Sequence, residues 1–434
     1  MHNHPDSFGE VHLNLNVRGL GVSATVAIND RSNELIRRGR DVIKLGLGQS
    51  PFPVPESVVE ALRENAHQKA YLPVKGLYEL REAVAEHHRR TFGIECTADE
   101  VLIGPGSKEL MFLLQLAYYG DLVISSPSWV SYAPQAQIIG RNIFVLPTSI
   151  ESNWQLTAAQ LEEFCAKDHG RPRILVLNYP SNPTGCTLSH GQLADIAEVA
   201  RQNHVVVLSD EIYGKIHHTG QHESIVPLYP ESTIFSGGLS KWCGAGGWRL
   251  GLFVFPKSLR WLLDAMAAVA SETFTSTSAP IQYAAIRAFQ GGADIDRYLV
   301  RSRRVLSALG NLLTRSLEKT GADILPPEGA FYLFPDFSPL RDKLRRKGIN
   351  TSVEICEKLL DDTGVAILPG SAFSRPADEL TARLAYVDFD GAAALEAAGT
   401  VPEGEALDDD FVRTHCGRVV EAVDRIGDWL GSME

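Results

Sequence analysis

From residue 101 onward, short runs of aliphatic and β-branched residues alternate with longer segments of helical spacing, and this rhythm limits the possible folds of the 434-residue chain more than any other property. The runs at 101–103, 122–124, 142–146, 174–177, 205–208 and 233–235 are nearly continuously apolar. A strand with one wet face alternates polar and apolar residues, whereas a strand covered on both faces does not. These runs therefore predict a central sheet between helices, and helical crossovers make it mostly parallel, in the α/β class. The helices carry signals of their own. One is expected over 108–118, and Thr157 with Gln160 and Ser189 with Gln192 each place a hydroxyl at an N-cap with glutamine three residues on.

After about Asp296 the rhythm changes to a long charged helix over 297–319, short strands near 330–334 and 365–368, and a final helix near 419–430. That pattern is α+β, and the length exceeds what one hydrophobic core normally supports. Two units are expected: a large one over 56–296, and a smaller one built from both chain ends, 1–55 and 297–434. A chain that leaves a domain and returns does so at the junction, which places the N-terminal stretch with the second unit. The stretch 391–410, rich in Ala, Glu, Gly and Asp, has little periodic apolar content and reads as a surface insertion or loop.

Composition removes several function classes. With 41 Lys+Arg against 53 Asp+Glu the net charge is -12, the reverse of the footprint of a protein that binds a phosphate backbone, so no nucleic-acid partner is expected. No eighteen apolar residues run uninterrupted, and the polar, His-rich start over 1–10 has no apolar core of a signal peptide; neither membrane spanning nor secretion is expected. The six cysteines contain no C-x-x-C pair, which fits a reducing, cytoplasmic setting. His217, His218 and His222 cluster in IHHTGQHES but match no ligand spacing. They read as solvated loop residues, and no metal is expected.

The segment GLSKWCGAGGWRLG, 238–251, carries the most chemistry. A lone lysine, Lys241, between a serine and a run of small residues suits a Schiff base: its amine loses a proton when desolvated, and glycines let a flat cofactor approach the backbone. Arg249, eight residues on, is within reach as a phosphate clamp. The bland alternative is a Gly-rich turn with two solvated cations. The run GPGSKEL from Gly104 follows a strand and opens a helix, as a dinucleotide loop does, but Glu109 stands where the third glycine belongs.

This lysine segment resembles the signature of class I/II aminotransferases, pyridoxal-phosphate enzymes of fold type I. Further landmarks follow in the family's order: Gly48 in LGLGQSPFPVP, Tyr71 in YLPVKGLYELREAVA, GPGSKEL, Trp129 in SPSWVSY, Asn182 in SNPTG, Asp210 and Tyr213 in SDEIYG, GAFYLF, PGSAFS, and Arg383 in ARLAY. The similarity spans roughly 17–386.

The resemblance implies pyridoxal 5'-phosphate as cofactor, a seven-stranded type of sheet, and a role for each matching residue. Lys241 forms the Schiff base and then acts as general base. Asp210 holds the protonated pyridine nitrogen, a task that needs a carboxylate because the cofactor withdraws electrons only while that nitrogen is charged. Asn182 and Tyr213 face the phenolic oxygen and Trp129 stacks on the ring. Ser107 and Lys108, at a helix start where free N–H groups favour an anion, join Ser240 and Arg249 around the phosphate. Gly238 stands where many relatives carry a phosphate-binding hydroxyl, so Ser236 or a partner-subunit hydroxyl is the expected substitute. Arg383, near Gly48, Asn182 and Trp129 in the substrate site, grips the α-carboxylate.

Tyr71 resembles the tyrosine that crosses a dimer interface, which implies a homodimer with shared sites. Ser23 and Thr25 in SATVAIN, with Lys108, resemble the trio that binds the distal carboxylate of aspartate or glutamate in one bacterial-type branch of aspartate aminotransferases. The expected reaction is transfer of an amino group from an L-amino acid to a 2-oxo acid such as 2-oxoglutarate, by a ping-pong route. The alternatives are an aromatic or prephenate aminotransferase, a lyase on the same fold, and a cofactor-binding sensor without turnover.

Overall fold

The computed structural model describes residues 12–432. The polar, His-rich start over 1–10 lies outside the described residues. Seven strands form the central sheet: β1 (Val101–Gly104), β2 (Asp121–Ser126), β3 (Ile143–Pro147), β4 (Arg173–Asn178), β5 (Val206–Asp210), β6 (Thr233–Gly238) and β7 (Gly251–Val254), in the spatial order β1-β7-β6-β5-β4-β2-β3. The pairs β3·β2, β2·β4, β4·β5 and β5·β6 are parallel. β7 runs antiparallel to both β6 and β1.

The central strands β4 and β5 are buried along almost their whole length, as continuous apolar runs require. Six of the strands fall on the expected runs. The seventh, β7, was hidden inside the stretch that follows the lysine segment. It returns the chain as a hairpin from β6, so Lys241 sits in a loop whose two ends are paired, Gly238 against Gly251. Both predicted caps form: Thr157 Oγ1 accepts from the Gln160 amide and Ser189 Oγ from the Gln192 amide, each with the reciprocal glutamine bond.

The chain ends meet beside this sheet. Ile43–Lys44 pairs in parallel with Val365–Ala366, and Leu368–Pro369, Ala382–Ala385 and Tyr332–Leu333 form a small antiparallel sheet. The long helix, Ala293–Glu318, packs on the helices of the C-terminal part.

The reading of 391–410 as a loop is corrected in its first half. Gly391–Ala398 is a helix, capped by Asp390, whose side chain accepts from the Ala392 and Ala393 amides. Ala394 and Ala398, one turn apart, are fully buried in the core beside the helix Ala293–Glu318. Alanine gives little hydropathy contrast, so a helix buried through its alanines leaves a weak periodic signal. Replacing Ala394 with Asp is expected to cost about 2–4 kcal/mol in urea unfolding, because an unpaired charge enters the core. Ala393→Asp, on the exposed face of the first turn, should stay within about 0.5 kcal/mol of the parent. Equal losses would mean the helix is not packed this way.

Candidate active site

Every residue predicted for the site except Tyr71 lines one cavity of about 370 Å³. It opens at the carboxyl ends of β4 and β5, where an α/β sheet leaves a crevice between the loops that follow its strands. Asp210 ends β5. Lys241 comes from the β6–β7 hairpin, and Ser107 and Lys108 begin the helix Ser107–Ala117 after β1. Arg383 reaches in from the strand Ala382–Ala385. Tyr71 is 91% exposed and stands outside this chain's cavity.

The Lys241 Nζ donates to the Gly48 carbonyl at 2.7 Å. Burial pulls its pKa down to about 8, aided by the positive charges of Arg383, Arg249 and Lys108 and opposed by Asp210. The amine is thereby placed where a small rise in pH makes it a nucleophile. Gly48 is required sterically, because a Cβ there would overlap the Tyr332 hydroxyl.

Asp210 shows the opposite balance. Burial raises its carboxyl to about 6, and hydrogen bonds from Tyr132 Oη to Oδ2 at 2.6 Å and from Ser236 Oγ to Oδ1 at 3.3 Å work against that rise. A buried carboxylate with so few donors and, among the described residues, no counter-ion within pairing distance is suited to a cationic ligand atom.

Arg383 is fully buried in its side chain. One terminal nitrogen donates to Asn182 Oδ1 at 3.0 Å and the other to the Gly46 carbonyl, while Nε has no partner among the described residues. The guanidinium lies over the rings of Tyr332 and Phe373 at 4.8 and 5.0 Å. An orphaned buried N–H on a fixed cation fits an incoming carboxylate. Tyr332 itself bonds Tyr213, hydroxyl to hydroxyl, at 2.7 Å.

The opposite end is built to take an anion. Gly106 is the N-cap of Ser107–Ala117 with φ 91°, and no side chain caps that helix. A Cβ on Gly106 would overlap the Arg249 guanidinium, and one on Gly251 would overlap the Ser107 amide, so the glycines keep open a cradle of backbone N–H, Arg249 and Ser240. Lys108 Nζ lies over the Trp129 ring at 5.0 Å, and burial together with Arg249 lowers its pKa. Ser23 occupies the N-cap position of the helix Ala24–Arg37, yet its side chain makes no capping bond; with Thr25 it faces the cavity instead.

Two expectations are corrected. Ser236 does not stand in for the phosphate hydroxyl: its side chain is fully buried on β6 and donates to Asp210. A side chain at Gly238 is blocked, since a Cβ would lie 2.7 Å from the Leu250 carbonyl oxygen. The histidines of IHHTGQHES are not solvated either. His217 is buried, and His222 Nε2 sits 2.7 Å from Glu211 Oε2. Burial lowers the pKa of His217 and of His218 to about 4.

Sequence reasoning missed Tyr332 and Asn178, both on the cavity wall, and Tyr132, which stands behind it and bonds Asp210. Tyr132 closes the same motif that supplied Trp129, and Asn178 ends β4, where its side chain bonds the Asp210 carbonyl and the Asn182 amide. Position at a strand end was the available signal for Asn178. For the tyrosines no sequence signal distinguishes a wall residue from core.

The chain matches the family model for aminotransferase class I and II over residues 40–387. It is similar to a probable aspartate/prephenate aminotransferase of Thermus aquaticus, 34% identical over 367 residues, 83% of this chain and 92% of that protein. It is also similar to an aspartate aminotransferase of Bacillus sp. (strain YM-2), 31% identical over 379 residues, 85% of this chain and 93% of that one. The solved aspartate aminotransferase from Thermus thermophilus with maleate matches with a TM-score of 0.82 at 29% identity, covering 96% of this chain and 100% of that one.

Because Asp210 is held above its ordinary range, its ionisation weakens the ligand-free protein as pH rises from about 4 to 6. Tyr132→Phe removes its shortest hydrogen bond. The expected loss is about 1–3 kcal/mol in urea unfolding at pH 7 and distinctly less at pH 5, where the carboxyl carries its proton. An equal loss at both pH values would mean that the bond does not serve the charged carboxylate.

Proposed function

Because the chain belongs to the class I and II aminotransferases, a family dependent on pyridoxal phosphate, and is itself a transaminase, we propose that it passes the amino group of aspartate or glutamate to a 2-oxo acid such as 2-oxoglutarate. The observation that carries this reading is the convergence of Lys241, Asp210 and Arg383 in one cavity with an anion cradle at its far end. Pyridoxal phosphate, when bound, supplies an electron sink that lets the substrate Cα–H bond ionise.

The chain's own residues then have distinct tasks. Ser107, Lys108, Ser240 and Arg249 would hold the phosphate, and Asp210 would hold the charge on the ring nitrogen. Trp129 packs on the ring, with Asn182 and Tyr213 toward the phenolic oxygen. Arg383 would grip and orient the substrate α-carboxylate, and Gly48 leaves room beside it. With the cofactor bound, the Lys241 amine would be the group that takes and holds the proton of the substrate Cα. Ser23, Thr25 and Lys108 face the distal carboxylate of a dicarboxylic substrate, and the Thermus aquaticus and Bacillus relatives, named for aspartate, support that choice.

The same reading gives a homodimer in which Tyr71 of the partner subunit completes the phosphate site, and the exposure of this tyrosine supports it. It divides the chain at about residues 55 and 296, supported by the pairing of Ile43–Lys44 with Val365–Ala366. It places the protein in the cytoplasm, supported by six buried free cysteines.

In a single half-reaction, aspartate alone should discharge the visible absorbance of the holoenzyme and release one equivalent of 2-oxo acid, and 2-oxoglutarate should restore the colour. Release of ammonia with unchanged colour would indicate a lyase instead. Lys241→Ala should leave no visible absorbance once non-covalently held cofactor is removed; absorbance that persists would overturn the role of Lys241. Arg383→Lys should lower kcat/KM for aspartate and phenylalanine alike by about 100-fold or more, since a point charge replaces a planar fork; a loss under about threefold would remove Arg383 from the carboxylate site.

The lowered pKa of Lys241 predicts a pH profile as well. The rate of pyridoxal-phosphate uptake by the cofactor-free protein should climb with pH as the amine loses its proton and level off above about 8. Arg383→Leu removes the cation that lowers the Lys241 pKa most and should move that midpoint upward; a midpoint that stays put would exclude the electrostatic coupling.

A further inference from the structure

Behind the sheet face that carries Lys241 lies a second cavity of about 280 Å³, enclosed by the helix Tyr78–Phe92, the helix Ala293–Glu318, β6 and β7. Its body is apolar and aromatic, with Phe92, Phe235, Trp242 and Phe289 among its walls. Two cations stand at one side. Lys215 Nζ lies 4.2 Å from the Trp242 ring centroid and 5.8 Å from that of Phe289, and takes no hydrogen bond or ion pair among the described residues. Arg303 donates through Nε to the Lys215 carbonyl at 2.8 Å, and its terminal nitrogens have no partner among the described residues.

The nearby anions compensate this pair only in part, through the charge of Asp296 and without an ion pair among the described residues. Glu211 is saturated by Ser209 Oγ at 2.7 Å, Ser224 Oγ at 2.6 Å, Tyr179 Oη at 3.3 Å and His222 at 2.7 Å. Asp296 is exposed at the rim, two turns before Arg303 on the same helix. His87 and His88 are neutral: burial holds their pKa values at about 2 and about 4. An aromatic-walled hole with two unpaired, partly buried cations and no inward free anion selects for a ligand with both features.

We propose that this cavity is a second binding site, separate from the Lys241 cavity, for a small aromatic monocarboxylate. Its carboxylate pairs with Lys215 Nζ and the Arg303 guanidinium, and its ring packs against Trp242, Phe289, Phe92 and Phe235. Burial brings Lys215 down to about 8, so it remains largely charged at neutral pH and gains from an anion. A neutral aromatic leaves both cations unpaired, and an aliphatic dicarboxylate puts a second charge among the rings.

The test is calorimetric titration of the holoenzyme with phenylacetate, with 2-phenylethanol as the uncharged comparison. Phenylacetate should bind the parent protein, and Lys215→Met should weaken it about tenfold or more while leaving turnover within about twofold. Thr91→Trp, an exposed rim position on the cavity wall, should abolish binding by filling the mouth, and it keeps the test decisive if the lysine variant fails to fold. 2-Phenylethanol should bind about tenfold more weakly than the acid. Equal affinity in the parent and both variants would place the acid at Arg383 and overturn the proposal, as would no heat of binding up to about ten times a millimolar Kd.

Discussion

The buried carboxylate of Asp210 sets the terms for everything around it. Placing that charge at the end of a central strand costs desolvation energy, which the hydrogen bonds from Tyr132 and Ser236 offset only in part. The residue stays in place because β5 is covered on both faces, so the backbone that carries it has nowhere to relax. The wall beside it follows the same logic. Asn178 ties the end of β4 to the Asp210 carbonyl, and through the Asn182 amide to the loop whose side chain holds Arg383. One chain of hydrogen bonds thus fixes the distance between an anion and a cation drawn from different parts of the sequence.

Much of this was legible beforehand, for reasons specific to particular residues. The runs 174–177 and 205–208 are strands because nothing but a doubly covered sheet tolerates such continuous apolarity. Thr157 and Ser189 announced their helices because capping is local chemistry. The cavity residues were found through motifs whose order along the chain matched a known family, and their convergence in one cavity then followed from the fold.

What escaped reading depends on contacts between distant segments. β7 could not be separated from the glycine-rich hairpin before it, since its four residues gain their identity from β1 and β6. The helix Gly391–Ala398 is apolar mainly through alanines, with Leu395 its one large apolar side chain, and its burial depends on the helix Ala293–Glu318 lying alongside. The histidines of 216–224 looked solvated because their neighbours are polar, yet Glu211, eleven residues before His222, draws that ring inward. Tyr132 and Tyr332 are ordinary core tyrosines until Asp210 and Arg383 are placed beside them.

The closed hairpin around Lys241 has a bearing on how such a protein can change over time. Gly238 and Gly251 are paired at its base, and crowding by Leu250 and Ser107 excludes a side chain at either one. A residue added to or lost from 239–250 would displace the amine, so this part of the wall tolerates neither length nor volume changes. The opposite wall is held by Ser23 and Thr25 on the helix Ala24–Arg37, in which only Ser32 is buried. It leans on the core through Ala24, Ile28 and Leu35, and its other positions can be remodelled at little cost. The architecture separates the half of the cavity that must stay constant from the half that can drift, leaving substrate preference open to mutation while the reacting atoms stay fixed.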